Sequence, residues 1–188
     1  MDSRSEILRL WTCQSPEVSL LLAHDGVCRV RREFIDRKYA EAAWSFRRAY
    51  AFFSRYMTAV LPPEEGEESP YWLYADGRAA GSSGQGVLME LAVPGDQCLC
   101  FDGQSWNRVL NLEYLEKDAE DAAAFRRRLE AAGLQHPSQA FSLPFYPQFR
   151  REIESSWERL FLREPAEKGM QAAVWHLKEE WVVARHRL

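Results

Sequence analysis

A single carboxylate, Glu90, interrupts the apolar run Val87-Leu88-Met89-Glu90-Leu91-Ala92-Val93, opposite in phase to Met89 and Leu91. The run reads as a central strand. If the face carrying Glu90 is covered, desolvation raises its pKa and makes it a candidate catalytic acid or base. On a one-sided sheet it points to solvent instead. A second chemistry-bearing stretch is Tyr71-Trp72-Leu73-Tyr74, whose rings could stack on a planar ligand or simply pack. The four histidines stand in no nucleophile or zinc-hydrolase motif, and neither G-x-S-x-G nor H-E-x-x-H occurs. His24 and His186 fall near element ends and His136 in a loop; His176 alternates with Trp175, so one of that pair should face away from the core. A surface histidine is expected there. Cys98-Leu99-Cys100 sends two sulfurs to one face of a strand, while Cys13 and Cys28 stand alone. Zinc needs four ligands, and no C-x-x-C or neighbouring His pair supplies them, so small apolar thiols and no metal site are expected.

The elements that must position these groups belong to one domain. A chain of 188 residues with 46% hydrophobic content and seven tryptophans can bury a single sizeable core. A net charge of −4 argues against a dedicated nucleic-acid coat or a membrane-surface protein, and no apolar run approaches the roughly 20 residues of a bilayer span. Met1 to Ser5 lack the layout of a secretory signal, so a cytoplasmic protein is expected. One third of the chain is locally basic. Arg29, Arg31, Arg32, Arg37, Lys38, Arg47, Arg48 and Arg55 outweigh Glu33, Asp36 and Glu41, as a solvated helix face or as a patch for phosphate or an acidic protein partner.

Periodicity and capping chemistry give the element order. Ile7 to Thr12 reads as a strand; Ser15-Pro16-Glu17 then caps a helix with Val18, Leu21 and Leu22 inward and Gly26 as its stop. Val27 to Val30 is a brief extended return. Tyr39, Ala43, Phe46, Tyr50, Phe53, Met57 and Val60 form one helical stripe, ended by Pro62-Pro63. Residues 62–70 read as an acidic loop and Ala79 to Gly86 as flexible linker. Val87–Val93 and Gln97–Phe101 read as a hairpin around Pro94-Gly95-Asp96. Asp102 should cap a helix bearing Trp106, Val109 and Leu110. Helices follow at Ala119–Ala132 and through Phe149, Ile153, Trp157 and Leu160, and Gln171–Leu177 with Trp181–His186 suggest a closing hairpin. The fold class is α+β: a small, mostly antiparallel sheet with four to five helices packed around it.

The chain resembles the bacterial domain-of-unknown-function family 3841. The matching pieces are Leu10-Trp11-Thr12 with Gln14, Leu91-Ala92-Val93-Pro94 leading into Phe101-Asp102, and Trp106 with Val109-Leu110-Asn111. Tyr114-Leu115, Ser156-Trp157-Glu158-Arg159 with Phe161, Gln171-Ala172 with Trp175 and Leu177, and Trp181-Val182 complete them. One departure stands out: Cys100-Phe101-Asp102 replaces a run of the Ser-Asp-Phe-Asp type. The resemblance implies no activity.

A weaker likeness is to ADP-ribosyltransferase-like domains. Their opening strand ends in a polar residue before a short helix, and a late strand begins with an acid. Here the opening positions are Thr12 and Gln14 and the closing one is Gln171. Active members place His or Arg first and Glu last; that Glu holds the nicotinamide ribose and activates the acceptor, which an uncharged amide cannot do as a base. Two readings follow. A nucleotide (NAD-like) binding domain, active or decayed, gathers Thr12, Gln14, Tyr74 and Gln171 around one cleft, with arginines near enough for a pyrophosphate; Asp102 is a further ligand-binding candidate, and Gln171 and Glu90 are the catalytic ones. A non-catalytic interaction module scatters them and exposes an apolar patch.

Overall fold

The computed structural model describes residues 6–30, 43–82, 84–162, 165 and 169–188. The amino-terminal Met1 to Ser5, the stripe's first residue Tyr39 and the charges Arg31, Arg32, Glu33, Asp36, Arg37, Lys38 and Glu41 lie outside them. In chain order the elements are β1 (Ile7–Gln14), α1 (Pro16–Asp25), β2 (Val27–Arg29), α2 (Ala43–Val60), β3 (Tyr71–Tyr74), α3 (Gly77–Ala80) and β4 (Val87–Pro94). They continue with β5 (Leu99–Asp102), α4 (Gly103–Leu110), α5 (Ala119–Ala131), α6 (Gln139–Ser142), α7 (Pro147–Ser156), β6 (Met170–Val174), β7 (His176–Lys178) and β8 (Val182–Arg187). This is the expected α+β domain. Two of the helices, α3 and α6, are single turns of four residues.

Six strands form one antiparallel sheet in the order β5-β6-β3-β1-β4-β8, and β2 pairs with β7 in a second, two-stranded sheet. Alternation along each strand divides the large sheet's side chains between two cores. One face packs Trp72, Ala173 and Phe101 against Phe53, Trp106 and Trp157 from α2, α4 and the turn after α7. The other packs Leu10, Leu73, Met89 and Leu91 against Leu22 of α1, Leu177 of β7 and Trp181. Trp106, Trp157 and Trp175 are buried, as expected.

The caps form as the residue types dictate. Ser15 Oγ accepts from Val18 N, Pro16 opens α1, and Gly26 closes it in the left-handed region at φ 76°. Of the expected inward positions of α1 only Leu22 is buried; Leu21 is 51% exposed, because a ten-residue helix rests on the sheet along a narrow line. In α2 the buried line runs through Ala49, Phe52, Phe53 and Met57, and Val60 at the frayed end is exposed.

Both expected hairpins are absent. β4 pairs with β1 and β8, while β5 lies at the far edge beside β6. Pro94-Gly95-Asp96 does not turn the chain back: Gly95–Gln97 is a 3-10 turn, and Gly95 N donates to Glu6 O (2.8 Å). Gly95 is not among the positive-φ glycines, so the primed turn that closes tight hairpins does not form. The chain instead crosses the ends of three strands to start β5. Likewise β6 runs between β5 and β3, β7 pairs with β2, and β8 pairs with β4. Within the stretch read as linker, Ala80 is buried and belongs to α3, which Asp76 caps through Oδ1 and Arg78 N (2.9 Å).

Candidate functional site

The register of the large sheet sets five residues side by side. Phe101 opposes Gln171, Gln171 opposes Tyr74, Tyr74 opposes Trp11, and Trp11 opposes Glu90. Directly opposed residues point to the same face, about 5 Å apart at Cβ. Gln171, Tyr74, Trp11 and Glu90 therefore form one row across β6, β3, β1 and β4, with Phe101 closing it on the core side.

Two strand-to-helix corners flank this row. At the end of β3, Ala75 N donates to Met170 O (3.1 Å) and Asp76 starts α3. At the end of β5, Asp102 starts α4 with Oδ1 accepting from Ser105 N (2.7 Å). Gln171 sits against the first residue of α4, where a Cβ on Gly103 would stand 2.7 Å from Gln171 Nε2 and 2.8 Å from Gly169 O. Trp11 sits under the first residue of α3, where a Cβ on Gly77 would come within 2.9 Å of its ring. Glycine at both corners lets the helix backbones press directly on the row.

Beyond Trp11 the face is only partly covered. An open cleft of about 800 Å³ is lined by Trp11, Ala75, Asp76, Gly77, Arg78, Leu88 and His186. The Trp11 and His186 ring centroids are 6.2 Å apart at 31°, and Arg78 has no ion pair among the described residues. Glu90 is neither enclosed in apolar surroundings nor free: it is half-buried and ion-paired with Arg9. A planar group can lie along Trp11 and His186, and an anionic group can meet Arg78.

Thr12 and Gln14 point the other way. They share the face of Leu10, and both mend the sheet where the β1–β3 ladder stops after its single pair, Trp11 with Tyr74. Thr12 Oγ1 donates to Trp72 O (3.1 Å), and Gln14 Nε2 donates to Thr12 Oγ1 (2.8 Å). Of Thr12, Gln14, Tyr74 and Gln171, expected around one cleft, the structure sets Tyr74 and Gln171 side by side, in a row that Glu90 also joins, and neither of them lines the cleft over Trp11. It holds Asp102 beside them as a helix cap and sets Thr12 and Gln14 on the opposite face. Trp11, which reads in the sequence only as a strand residue within a family-matching piece, takes the central position; its one-residue offset from Thr12 was the available signal.

Residues 9–183 match a family model described as a domain of unknown function (DUF3841). The chain belongs to that family. No curated protein and no solved structure matches it. Two stretches that carry the family resemblance lock onto each other in this DUF3841 domain. Leu115 N donates to Ser156 Oγ (3.0 Å), Trp157 Nε1 donates to Glu113 O (2.8 Å), and Arg159 Nη1 donates to Leu115 O. This clip joins the segment after α4 to the end of α7. Next to it lies a second hollow, about 530 Å³, with Tyr114 and Phe125 among its lining. Its Arg108 is consumed by Glu113, Glu116 and Tyr114 O.

The expected surface histidine is a buried one. His176 and Trp175 are 8% and 5% exposed, because Trp175 turns into one core while His176 is covered on the other side by Trp181 and Glu67. His176 Nδ1 bonds the Glu67 carboxylate, and Nε2 is buried without a partner among the described residues. Glu64, Glu67 and His176 present ligand atoms within 4.8 Å of one another, a grouping with metal-ligand spacing that the cysteine pattern gave no reason to expect. Cys98 and Cys100 do share a face, packed against the Leu10 core. The neighbouring Cys98 thiol holds the Cys100 thiol below the usual range, and the same pairing together with burial pushes Cys98 up; Cys98 Sγ itself donates to Gly95 O (3.8 Å). Within the basic third of the chain, Arg29 pairs with Glu64 and Arg48 with Glu154.

Proposed function

We propose that this DUF3841 domain binds a nucleotide of the NAD type in the cleft lined by Trp11, Asp76, Arg78 and His186, reaching from there toward Tyr74 and Gln171, which follow Trp11 in the row. The observation that carries this reading is the register: Trp11 of opening strand β1 and Gln171 of late strand β6 lie in one row with only β3 between them, while Thr12 and Gln14, the opening positions of the ADP-ribosyltransferase-like likeness, face the other way. Trp11 and His186 offer rings to the base or nicotinamide, and Arg78 offers a charge to phosphate. The Gln171 carboxamide can hydrogen-bond a ribose hydroxyl but cannot take a proton from an acceptor. Glu90 is tied to Arg9 and three strands away, about 14 Å across the sheet. Binding without efficient transfer is the consequence.

The test is thermal stability of the full chain with NAD, its fragments and common nucleotides. A ligand at about 100 times its Kd adds roughly 2.7 kcal/mol to the folded state. A shift with NAD that Trp11→Ala and Gln171→Ala each abolish supports the cleft. A flat screen removes the nucleotide reading and leaves a protein-interaction module, to be pursued by partner capture.

A further inference from the structure

On the opposite side of the sheet from the Trp11 cleft, the acidic loop before β3 folds into a turn built around two carboxylates. Glu64 N donates to Glu67 Oε2 (2.6 Å) and Glu67 N donates to Glu64 O (3.2 Å). Gly66 permits this with φ 84°, a left-handed conformation that other residues resist. Ser69 then bridges to Val30, which fixes the loop against β2. The turn thus delivers Glu64 and Glu67 to His176 of β7.

Charge and hydrogen bonding there are out of balance. The Glu67 side chain is 1% exposed, and a carboxylate removed from water requires a close opposite charge. Among the described residues the cation that faces it is Arg29, which stays 3.9 Å from Glu67 Oε1 and is shared with the exposed Glu64 at 3.4 Å. With a neutral imidazole, the two carboxylates and one guanidinium leave the group net negative. His176 adds a buried ring nitrogen, Nδ1, to the two carboxylates. Its ring is nine-tenths buried, one nitrogen faces Glu67, and Nε2 has no donor or acceptor among the described residues. Hydrogen bonding within the described residues leaves this imidazole with a lone pair or proton unspent.

From this grouping we propose that Glu64, Glu67 and His176 bind a divalent cation of the zinc or manganese class, which ties the loop before β3 to β7. One imidazole nitrogen with two carboxylate oxygens suits these borderline ions, whereas calcium and magnesium prefer all-oxygen sites. On Nδ1 the cation replaces the proton between ring and carboxylate. This placement uses all three residues, with solvent completing the shell at the exposed Glu64. Arg29 is the competitor, since its guanidinium occupies the same carboxylates.

The experiment uses the full chain, stripped with a chelator and titrated calorimetrically with zinc, manganese, magnesium and calcium chlorides. One equivalent of zinc or manganese should bind, while magnesium and calcium bind at least tenfold more weakly. Glu64→Gln, which alters an exposed side chain and leaves the core intact, should weaken zinc or manganese binding about tenfold or more. Arg29→Met should strengthen it, which a purely structural ion-pair network would not produce. Manganese should also broaden the His176 ring resonances selectively. Absence of binding to the wild type overturns the proposal. So does binding that Glu64→Gln leaves unchanged, because the ion then sits elsewhere, for instance on Cys98 and Cys100.

Discussion

Replacing Ser156 by alanine isolates one bond of the clip between the family-matching stretches. Ser156 is 2% exposed and Leu115 fully buried; Ser156 Oγ accepts from Leu115 N and donates to Ile153 O (2.6 Å). Alanine removes the hydroxyl, so the Leu115 N–H loses the partner it has among the described residues. An unsatisfied buried donor costs about 1–3 kcal/mol. Ile153 O loses less, as a carbonyl near a helix end that other donors can approach. Alanine's slightly better helix propensity offsets a few tenths of a kcal/mol near the end of α7. The net expectation is about 2 kcal/mol, a Tm lowered by roughly 4–8 °C for a chain of this size. Urea denaturation should show a lower midpoint with unchanged slope, since the denatured state is untouched. Ser142→Ala, at the exposed end of α6, is the matched control and should stay within about 0.5 kcal/mol. If Ser156→Ala also stays within about 0.5 kcal/mol of wild type, the clip is not a structural tie and the family signature there needs another explanation.

Three further outcomes follow from the same geometry. Gly103→Ala drives a Cβ to 2.8 Å from the fixed Gly169 carbonyl and 2.7 Å from Gln171 Nε2, so it should cost about 1–3 kcal/mol by denaturation and displace Gln171. An NAD response equal to wild type in that variant would remove Gln171 from the site. The Lys117 backbone N–H, with the Tyr114 hydroxyl and Arg159 behind it, holds the Asp121 carboxyl below its usual range. Its contribution to stability is therefore complete above the ordinary aspartate pKa of about 3.9 and is lost as pH falls through the lower folded value. Asp121→Asn should flatten that acid limb of the stability profile, and an unchanged limb would refute the assignment. Brief iodoacetamide treatment followed by peptide mass spectrometry should label Cys100 ahead of Cys98, because only the thiolate reacts. Equal labelling of the two would contradict the opposite shifts of the two thiols.

Local chemistry was legible where a residue type leaves the backbone little choice. Ser15-Pro16 and Gly26 bound α1, Asp102 opens α4, and Pro62-Pro63 follow the end of α2. Strand partners were not legible, because pairing depends on where the chain goes between strands. Pro94-Gly95-Asp96 has the composition of a tight turn, yet the Glu6 carbonyl captures Gly95 N and extends the strand edge instead. The site was half legible for a related reason. Glu90, Tyr74 and Gln171 were found by type and position, but a strand reverses face with every residue, so Thr12 was chosen where Trp11 faces the cleft. His176 escaped because the carboxylate that covers it lies 109 residues away, in a loop whose acidity read as solvation.

The stretches that carry the family resemblance do two different jobs, and hydrogen bonding separates them. Leu115, Ser156, Trp157 and Arg159 spend their polar groups on one another and on neighbouring carbonyls, while Phe101, Trp106 and Trp175 are buried in one aromatic core. These residues build the domain. Trp11 and Gln171 belong to matching stretches too, but neither side chain has a hydrogen-bond partner among the described residues, and both stand where a glycine lets a helix corner press against them. Solvent reaches the half-buried Gln171 amide, which leaves it available to a ligand, whereas the clip has spent its polar groups. That contrast directs attention to the rim of β6, β3 and β1, and it makes the loss of an NAD response in Gln171→Ala, at little cost to stability, the most discriminating result for the proposed function.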